Sequence, residues 1–388
     1  MINFLKKYYF ISRQIILFVF FCIFKSQKLK KSKVIFFFPF YHTGGAEQVH
    51  LDIVKSLKNA ENTVFFSGKS SSKKYFLDFK SNCNIFEIND FLRIKALNPY
   101  LIKHIAKIIN KNKIKVFGCN CHFFYMILPH LNQSIKKIDL LHAFSTPDFG
   151  FEQISIPSIE YLDNRIVINE KTKQDFIKQY KSLKISHKFA NRILKIQNGI
   201  SIIQNNFHKT QENTIKIGFV GRWSFEKRPE LFLEIANSFK ENYFVEFFII
   251  GSNMKNQEKI ITENGVNFIG EILENQLLKK QYQDLDILLV TSIREGFPMV
   301  IMEAMSFGVV VISTNVGGIN EHISNNENGI LIENHDNVLL IKNDFINQIN
   351  NLLQNKLLLE KLANNSISYS KQNFDIQKFN KNYQELLN

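Results

Sequence analysis

Glu295 and Glu303, two carboxylates eight positions apart, sit in the run Arg294-Glu295-Gly296-Phe297-Pro298-Met299-Val300-Ile301-Met302-Glu303-Ala304-Met305. Gly296 lets a backbone approach a ligand closely, Pro298 pre-sets a first helical turn, and Val300 to Met305 reads as a helix facing a core. The two acids therefore straddle a strand-to-helix turn. Amide donors at a helix start meet anionic or hydroxylated groups, and a carboxylate one to two turns in accepts hydrogen bonds from a diol, so the turn suits a sugar nucleotide. A lone Glu near a helix start is ordinarily only a solvated partner of the helix dipole. Shortly after comes Gly317-Gly318-Ile319-Asn320-Glu321.

Two other clusters have similar local form. Ile215 to Val220 reads as a buried parallel strand, Gly221 as a tight exit, and Pro229 as the first turn of a helix through Ala236, so Arg222 and Lys227 fall on a strand-to-helix loop. Doubly wound sheets bind ligands on such loops, and two cations there can neutralise a leaving diphosphate, although loop cations taken singly are usually solvated. Near the N-terminus the strand-like Val34 to Phe40 leads into Tyr41-His42-Thr43-Gly44-Gly45-Ala46-Glu47 and a helix to Leu57. No full Gly-x-Gly-x-x-Gly and no phosphate-loop lysine follows, which argues against a dinucleotide enzyme or an ATPase.

Taken together, these strings resemble the donor site of retaining glycosyltransferases of family 4, which have the two-domain GT-B fold. The family pattern of Glu, seven residues, Glu is met by Glu295 and Glu303, and the Arg, four residues, Lys spacing by Arg222 and Lys227. The resemblance implies that Glu303 holds ribose hydroxyls and that Glu295 and the amides of Gly296 and Phe297 hold the donor sugar. It further implies that Arg222, Lys227 and the Gly44-Gly45 turn meet the diphosphate, with the base near Ile269 and Gly270. His142, at the end of the strand-like Ile138 to Phe144, matches a histidine that many members place beside the donor sugar, although Ala143 follows where a polar residue is usual. The residue-level alternative for His142 is a structural histidine bonded to backbone. Asn198-Gly199 reads equally well as a turn or as a loop lining a cleft.

The elements that must position these groups alternate in βαβ rhythm. Thr63 to Ser67, Lys115 to Cys119 and Ile166 to Asn169 read as strands, and Pro99 to Asn110 and Lys171 to Tyr180 as helices. Further strands are expected at 215–220, 244–250, 266–269, 286–291 and 309–313, and a closing helix at Phe374 to Leu387 with Asp375 as N-cap. At 388 residues the chain exceeds what one core supports. The expected fold class is α/β, two Rossmann-like parallel-sheet domains with a C-terminal helix crossing back. The expected divisions are a basic and apolar segment 1–32, an acceptor domain 33–205 reaching a polar linker at Ser201 to Asn213, a donor domain 206–370 and the closing helix 371–388.

Residues 1–33 carry Lys6, Lys7, Arg13, Lys25, Lys28, Lys30, Lys31 and Lys33 and no acid, around the apolar run Ile15 to Phe24. That run is short of the roughly 20 residues a span requires, so an interfacial anchor on an anionic membrane is expected, with domain packing as the plain alternative. The net charge of +14 also admits nucleic-acid binding, but the excess lies beside the apolar run and no nucleic-acid module is recognisable. Four scattered cysteines suit a reducing cytoplasm, and Cys119-Asn120-Cys121-His122, lacking a second pair at zinc spacing, reads as a reduced thiol pair. Asp284-Leu285-Asp286 reads as capping and strand entry rather than as a metal motif. The expectation is thus a cytoplasmic enzyme, peripheral on the inner face of the plasma membrane, taking a nucleotide-sugar donor and a glycan or lipid-linked acceptor, with no metal or redox cofactor. A nucleotide-sugar epimerase of the same fold and a non-catalytic membrane or nucleic-acid binding protein are the rivals.

Overall fold

Short runs of Val, Ile and Phe bounded by turn residues build two parallel sheets, as expected of strands covered on both faces. The computed structural model describes residues 2–57, 61–144, 149–202 and 214–388. The first sheet comprises β1 (Val34–Phe38), β2 (Thr63–Phe66), β3 (Asn84–Glu87), β4 (Lys115–Cys119), β5 (Lys137–Leu141), β6 (Asn164–Val167) and β7 (Ile193–Lys195). Its order is β3-β2-β1-β4-β5-β6-β7, and every neighbouring pair is parallel. The second comprises β8 (Ile215–Val220), β9 (Val245–Ile250), β10 (Val266–Gly270), β11 (Ile287–Val290), β12 (Val310–Thr314) and β13 (Ile330–Ile332), in the order β10-β9-β8-β11-β12-β13, again parallel throughout.

The strand order reverses between β1 and β4 in one sheet and between β8 and β11 in the other. Loops leaving the carboxyl ends of the strands at such a point diverge to opposite faces and leave a crevice. The loops after β1, β8 and β11 are the three that carry the motifs.

The chain divides into one unit of Met1–Val167, Lys173–Ile196 and Asn380–Asn388 and another of Ile168–Thr172 and Gln197–Phe379. The first core gathers Ile35, Phe37, Phe65, Val116 and Phe124 with the helix Asn98–Asn112; the second gathers Phe219, Phe232, Phe247, Leu289 and Ile312 with the helices Pro229–Asn237 and Val338–Gln354. The expected boundary at 205 and 206 and most of the expected linker lie outside the described residues. The closing helix runs Ile376–Leu387, and Asp375 Oδ1 accepts from Gln377 N at 2.9 Å. Its final turns belong to the first unit: Tyr383 is fully buried near Phe117, and Gln384 Nε2 donates to Ser56 O at 2.6 Å. Asn198-Gly199 lies against the start of this helix, where a Cβ on Gly199 would stand 3.0 Å from Ile376 Cα.

The N-terminal helix Ile2–Ile23, followed by a 3-10 segment Lys25–Lys31, is longer than the apolar run suggested. Tyr9–Lys31 is, by length and composition only, long and apolar enough to cross a bilayer, whereas the apolar run Ile15 to Phe24 alone falls short of that. The difference arises because helical structure continues past the apolar run at both ends. One face packs on the first core through Phe18, Phe21 and Cys22, with the Phe21 ring 5.3 Å from that of Phe86. The other face leaves Ile16, Val19, Phe20, Ile23 and Phe24 exposed.

Candidate active site

At the reversal point of the second sheet, the loops after β8 and β11 are laced together. Ile293 N donates to Glu226 O at 2.8 Å, and Thr291 Oγ1 donates to Lys227 O at 2.8 Å and Arg228 O at 3.0 Å. Arg228 returns the contact, with Nε donating to Thr291 O at 2.6 Å and Nη2 to Ser292 O and Asn334 Oδ1. Arg228 thus acts as a brace, held in the left-handed region at φ 47° immediately before Pro229 starts the helix. Because that brace fixes both loops, Lys227 is aimed at Glu295. Its Nζ makes a short ion pair with Glu295 Oε1, the same oxygen that accepts from Ser292 Oγ at 2.7 Å.

Arg222 is exposed one residue beyond Gly221, and the loop is a single electrostatic unit. Burial would raise the Glu226 carboxyl, but its own backbone amide and the nearby Arg222 and Lys227 outweigh this and lower it below the usual range. Positive charge therefore concentrates on a loop whose backbone is immobilised by its neighbour. A depression of about 610 Å3 lies on this loop too, lined by Trp223, Phe225, Arg228, Ile293, Asn334 and Asp336 among others, and none of Arg222, Lys227, Glu295 or Glu303 lines it.

The helix after Pro298 runs Met299–Ser306 and carries Glu303 on its second turn. Tyr282 OH donates to Glu303 Oε2 at 2.8 Å, fixing the carboxylate from the neighbouring helix Asn275–Asp284. Burial first, and then the Glu303 charge, push the Tyr282 hydroxyl well above the usual phenol range, so it remains a donor. Phe297 is buried against His322 and Phe374 with ring centroids at 4.3 and 5.5 Å. Its side chain is core, so only its backbone is available to a ligand.

Gly317 and Gly318 close the back of this turn. Gly317 has φ +60°, and a Cβ there would stand 1.8 Å from Glu295 O; Gly318 N donates to Gly296 O at 2.7 Å. A Cβ on Gly318 would strike Asn169, whose Oδ1 caps Thr172 N at 2.7 Å. Glu321, in the same run, accepts from Glu170 N at 2.9 Å and Lys171 N at 2.7 Å, so its carboxylate caps a helix start. Ile269 is 41% exposed, and Gly270, buried at the end of β10 with φ +78°, accepts from Gly251 N at 2.9 Å. Asp286 Oδ2 accepts from Lys216 N at 2.9 Å, which is the strand-entry role expected of it.

In the first unit, Gly44 precedes the helix Gly45–Ser56, and a Cβ on it would meet Glu47 Oε2 at 2.1 Å. Glu47 is buried with Oε1 3.5 Å from His42 Nε2. His142 directly follows β5. Its Nε2 lies 3.3 Å from His50 Nε2, a side-chain partner. Burial lowers His142 to about 4, so it is neutral at pH 7.

Sequence reasoning missed Ser292, Tyr282, Arg228 and Asn169. Tyr282 and Asn169 reach the site from other elements and leave no local spacing to read. Arg228 carried a signal, since a residue wedged between a 3-10 turn and a helix-starting proline is constrained.

Fold and site define a class: a chain of two Rossmann-like parallel-sheet domains of the GT-B type. Residues 202–372 match the family described as Glycosyl transferases group 1, which covers the second sheet and its motifs. The chain is 27% identical over 289 residues to Protein CapJ of Staphylococcus aureus, covering 72% of this chain and 66% of that protein. It is 30% identical over 144 residues to the capsular polysaccharide biosynthesis glycosyltransferase CapM of the same organism, covering 34% of this chain and 37% of CapM. The matched stretch thus spans less than two thirds of either relative. Among solved structures, Anabaena Alr3699/HepE in complex with UDP superposes with a TM-score of 0.71 at 19% identity, over 92% of this chain and 99% of that one.

Proposed function

We propose that the chain is a retaining glycosyltransferase of family 4 that moves a hexosyl or N-acetylhexosaminyl group from a nucleotide-diphosphate sugar to a glycan or lipid-linked acceptor in bacterial surface-polysaccharide assembly. The observation that carries this reading is the Lys227–Glu295 ion pair, set between the two laced loops at the sheet's reversal point. A cation and an acid held there are suited to the two ends of a glycosyl phosphate. Lys227 and Arg222 take the charge of the departing diphosphate, while Glu295 and the amides of Gly296 and Phe297 hold sugar hydroxyls. Glu303, held by Tyr282, takes the ribose diol, and Ile269 and Gly270 face the base. Gly44-Gly45 and His142 are the first unit's proposed contributions at the diphosphate and the sugar.

In the transfer the bond between the anomeric carbon and the phosphate oxygen breaks, and its electron pair leaves with the diphosphate. The acceptor oxygen bonds to the same face of that carbon, and its proton passes to the leaving phosphate oxygen. No metal is assigned a part in this step, since Arg222 and Lys227 supply the positive charge. HepE was solved with UDP, so UDP-sugars are the first donors to try. The exposed stripe Ile16, Val19, Phe20, Ile23 and Phe24, beside Lys25, Lys28, Lys30 and Lys31, supports a peripheral site of action on the anionic cytoplasmic membrane face.

Thermal stabilisation by UDP, GDP, ADP and their common sugars, measured beside Glu303→Ala, tests the donor site. One nucleotide family should raise the melting temperature, and the variant should lose that rise. No shift with any of them would count against the reading. With a donor identified, an inverted anomeric centre in the product would rule out retention.

A further inference from the structure

Three residues remote in sequence converge at the carboxyl ends of neighbouring strands in the first unit. Cys119 ends β4, His142 follows β5, and His50 projects from the helix Gly45–Ser56. The Nε2 atoms of His50 and His142 are 3.3 Å apart, and with Cys119 Sγ all three atoms lie within 4.8 Å of one another. Cys119 and His50 are buried, and His142 is partly so.

We propose that His50, His142 and Cys119 form a three-ligand site for a thiophilic transition ion of the zinc type. The geometry is close to what such an ion needs. Zinc–nitrogen bonds of about 2.0–2.1 Å in a tetrahedron put two ligand nitrogens roughly 3.3–3.4 Å apart, which is the separation the two imidazoles already have. A thiolate with two imidazoles suits zinc and excludes magnesium or calcium, which take oxygen ligands.

Glu47 is buried one helical turn before His50, while Asp139, buried within β5, is already paired with Arg165. A bound ion with one thiolate carries a net single positive charge. Binding releases the Cys119 proton to solvent. The plane of His50 is fixed beforehand, since its ring stacks on Phe38 at 4.2 Å and 4°. Among the described residues His50 Nδ1 has no hydrogen-bond partner, so whatever faces Nε2 sets its tautomer. The nearer sequence cluster is not the ligand set: Cys121 Sγ lies 3.2 Å from Ser67 Oγ, and the His122 ring packs on Phe151.

An ion held here takes the Nε2 atoms of both imidazoles, which in the metal-free chain face each other at 3.3 Å. The binding claim does not depend on the transferase reading. Full-length chain freed of any histidine tag is equilibrated with Zn2+, passed into metal-free buffer and assayed for zinc; Co2+ is then substituted and its absorption recorded. One zinc per chain and a thiolate-to-cobalt charge-transfer band are expected. Cys119→Ser should lose the band and most of the zinc, Cys121→Ser should keep both, and far-ultraviolet circular dichroism monitors folding. Should Cys119→Ser fail to fold, His50→Gln serves in its place, with reduced zinc retention expected. No retained zinc in the parent chain, or a band that survives Cys119→Ser, overturns the proposal and leaves His50 and His142 as a hydrogen-bonded pair.

Discussion

An ion pair in the first unit and another in the second differ in what remains once the pair is made. Arg165 and Asp139, on β6 and β5, are 2% and 0% exposed and meet at 2.6 Å. Arg165 also donates to Tyr180 OH and Ser155 Oγ, Asp139 accepts from Tyr125 OH, and the guanidinium lies 4.7 Å from the centre of the Phe176 ring. That network faces inward and is screened from any ligand. Lys227 and Glu295 are 23% and 9% exposed, and they sit on loops rather than on strands. Glu295 takes one donor of an ammonium that carries three, so Lys227 keeps capacity for an incoming anion. A dry, satisfied pair holds the fold, whereas a half-open pair on braced loops is suited to exchange one partner for another.

The sharpest way to break this comparison is to remove one member of each pair. Asp139→Asn strands a buried guanidinium without its counter-ion and should cost about 3–5 kcal/mol of stability, read by denaturant unfolding. Lys227→Ala should cost under about 1 kcal/mol in the same experiment, since the pair is partly screened. Its effect should fall on turnover instead, lowering kcat by about 10²–10³ with a UDP-sugar donor. If Lys227→Ala unfolded the protein while Asp139→Asn was tolerated, the two pairs would have been assigned the wrong way round.

Smaller effects refine the donor side. Glu303→Gln should weaken nucleotide binding by about 1.5–3 kcal/mol, as measured by titration calorimetry, because hydrogen bonds to a charged acceptor are lost. Tyr282→Phe removes only the bond that orients Glu303 and should cost about 1.5–3 kcal/mol of stability, with a lesser loss of affinity. A larger loss of affinity in Tyr282→Phe than in Glu303→Gln would mean that the tyrosine meets the ligand itself.

Much of the proposed donor side was legible because its residues are neighbours in sequence. Gly221 with Arg222 and Lys227, and Glu295 with Gly296 and Glu303, each belong to one strand, one turn and one helix, and local rules of strand and helix termination place them. The strand expectations at 215–220 and 266–269 fall within a residue of β8 and β10 for the same reason. The N-terminal helix was underestimated because an apolar run marks only the part of a helix that avoids water, while the backbone continues through residues of good helical propensity. Its inward face, with Phe21 among aromatic rings, could not be read from a segment apolar on nearly every side.

The sequence by itself determined the alternation of strands and helices, the two reversal-point motifs and the class of ligand they suit, since all of these follow from residue types at short spacing. Only the tertiary structure decided that Tyr282 holds Glu303, that Gly317 must be glycine because Glu295 O occupies the place of its Cβ, and that Cys119 comes within 4.8 Å of His50 and His142. Parallel sheets bring the carboxyl ends of strands together irrespective of chain distance, so contacts between residues tens of positions apart are set by strand order and register, which no local pattern encodes.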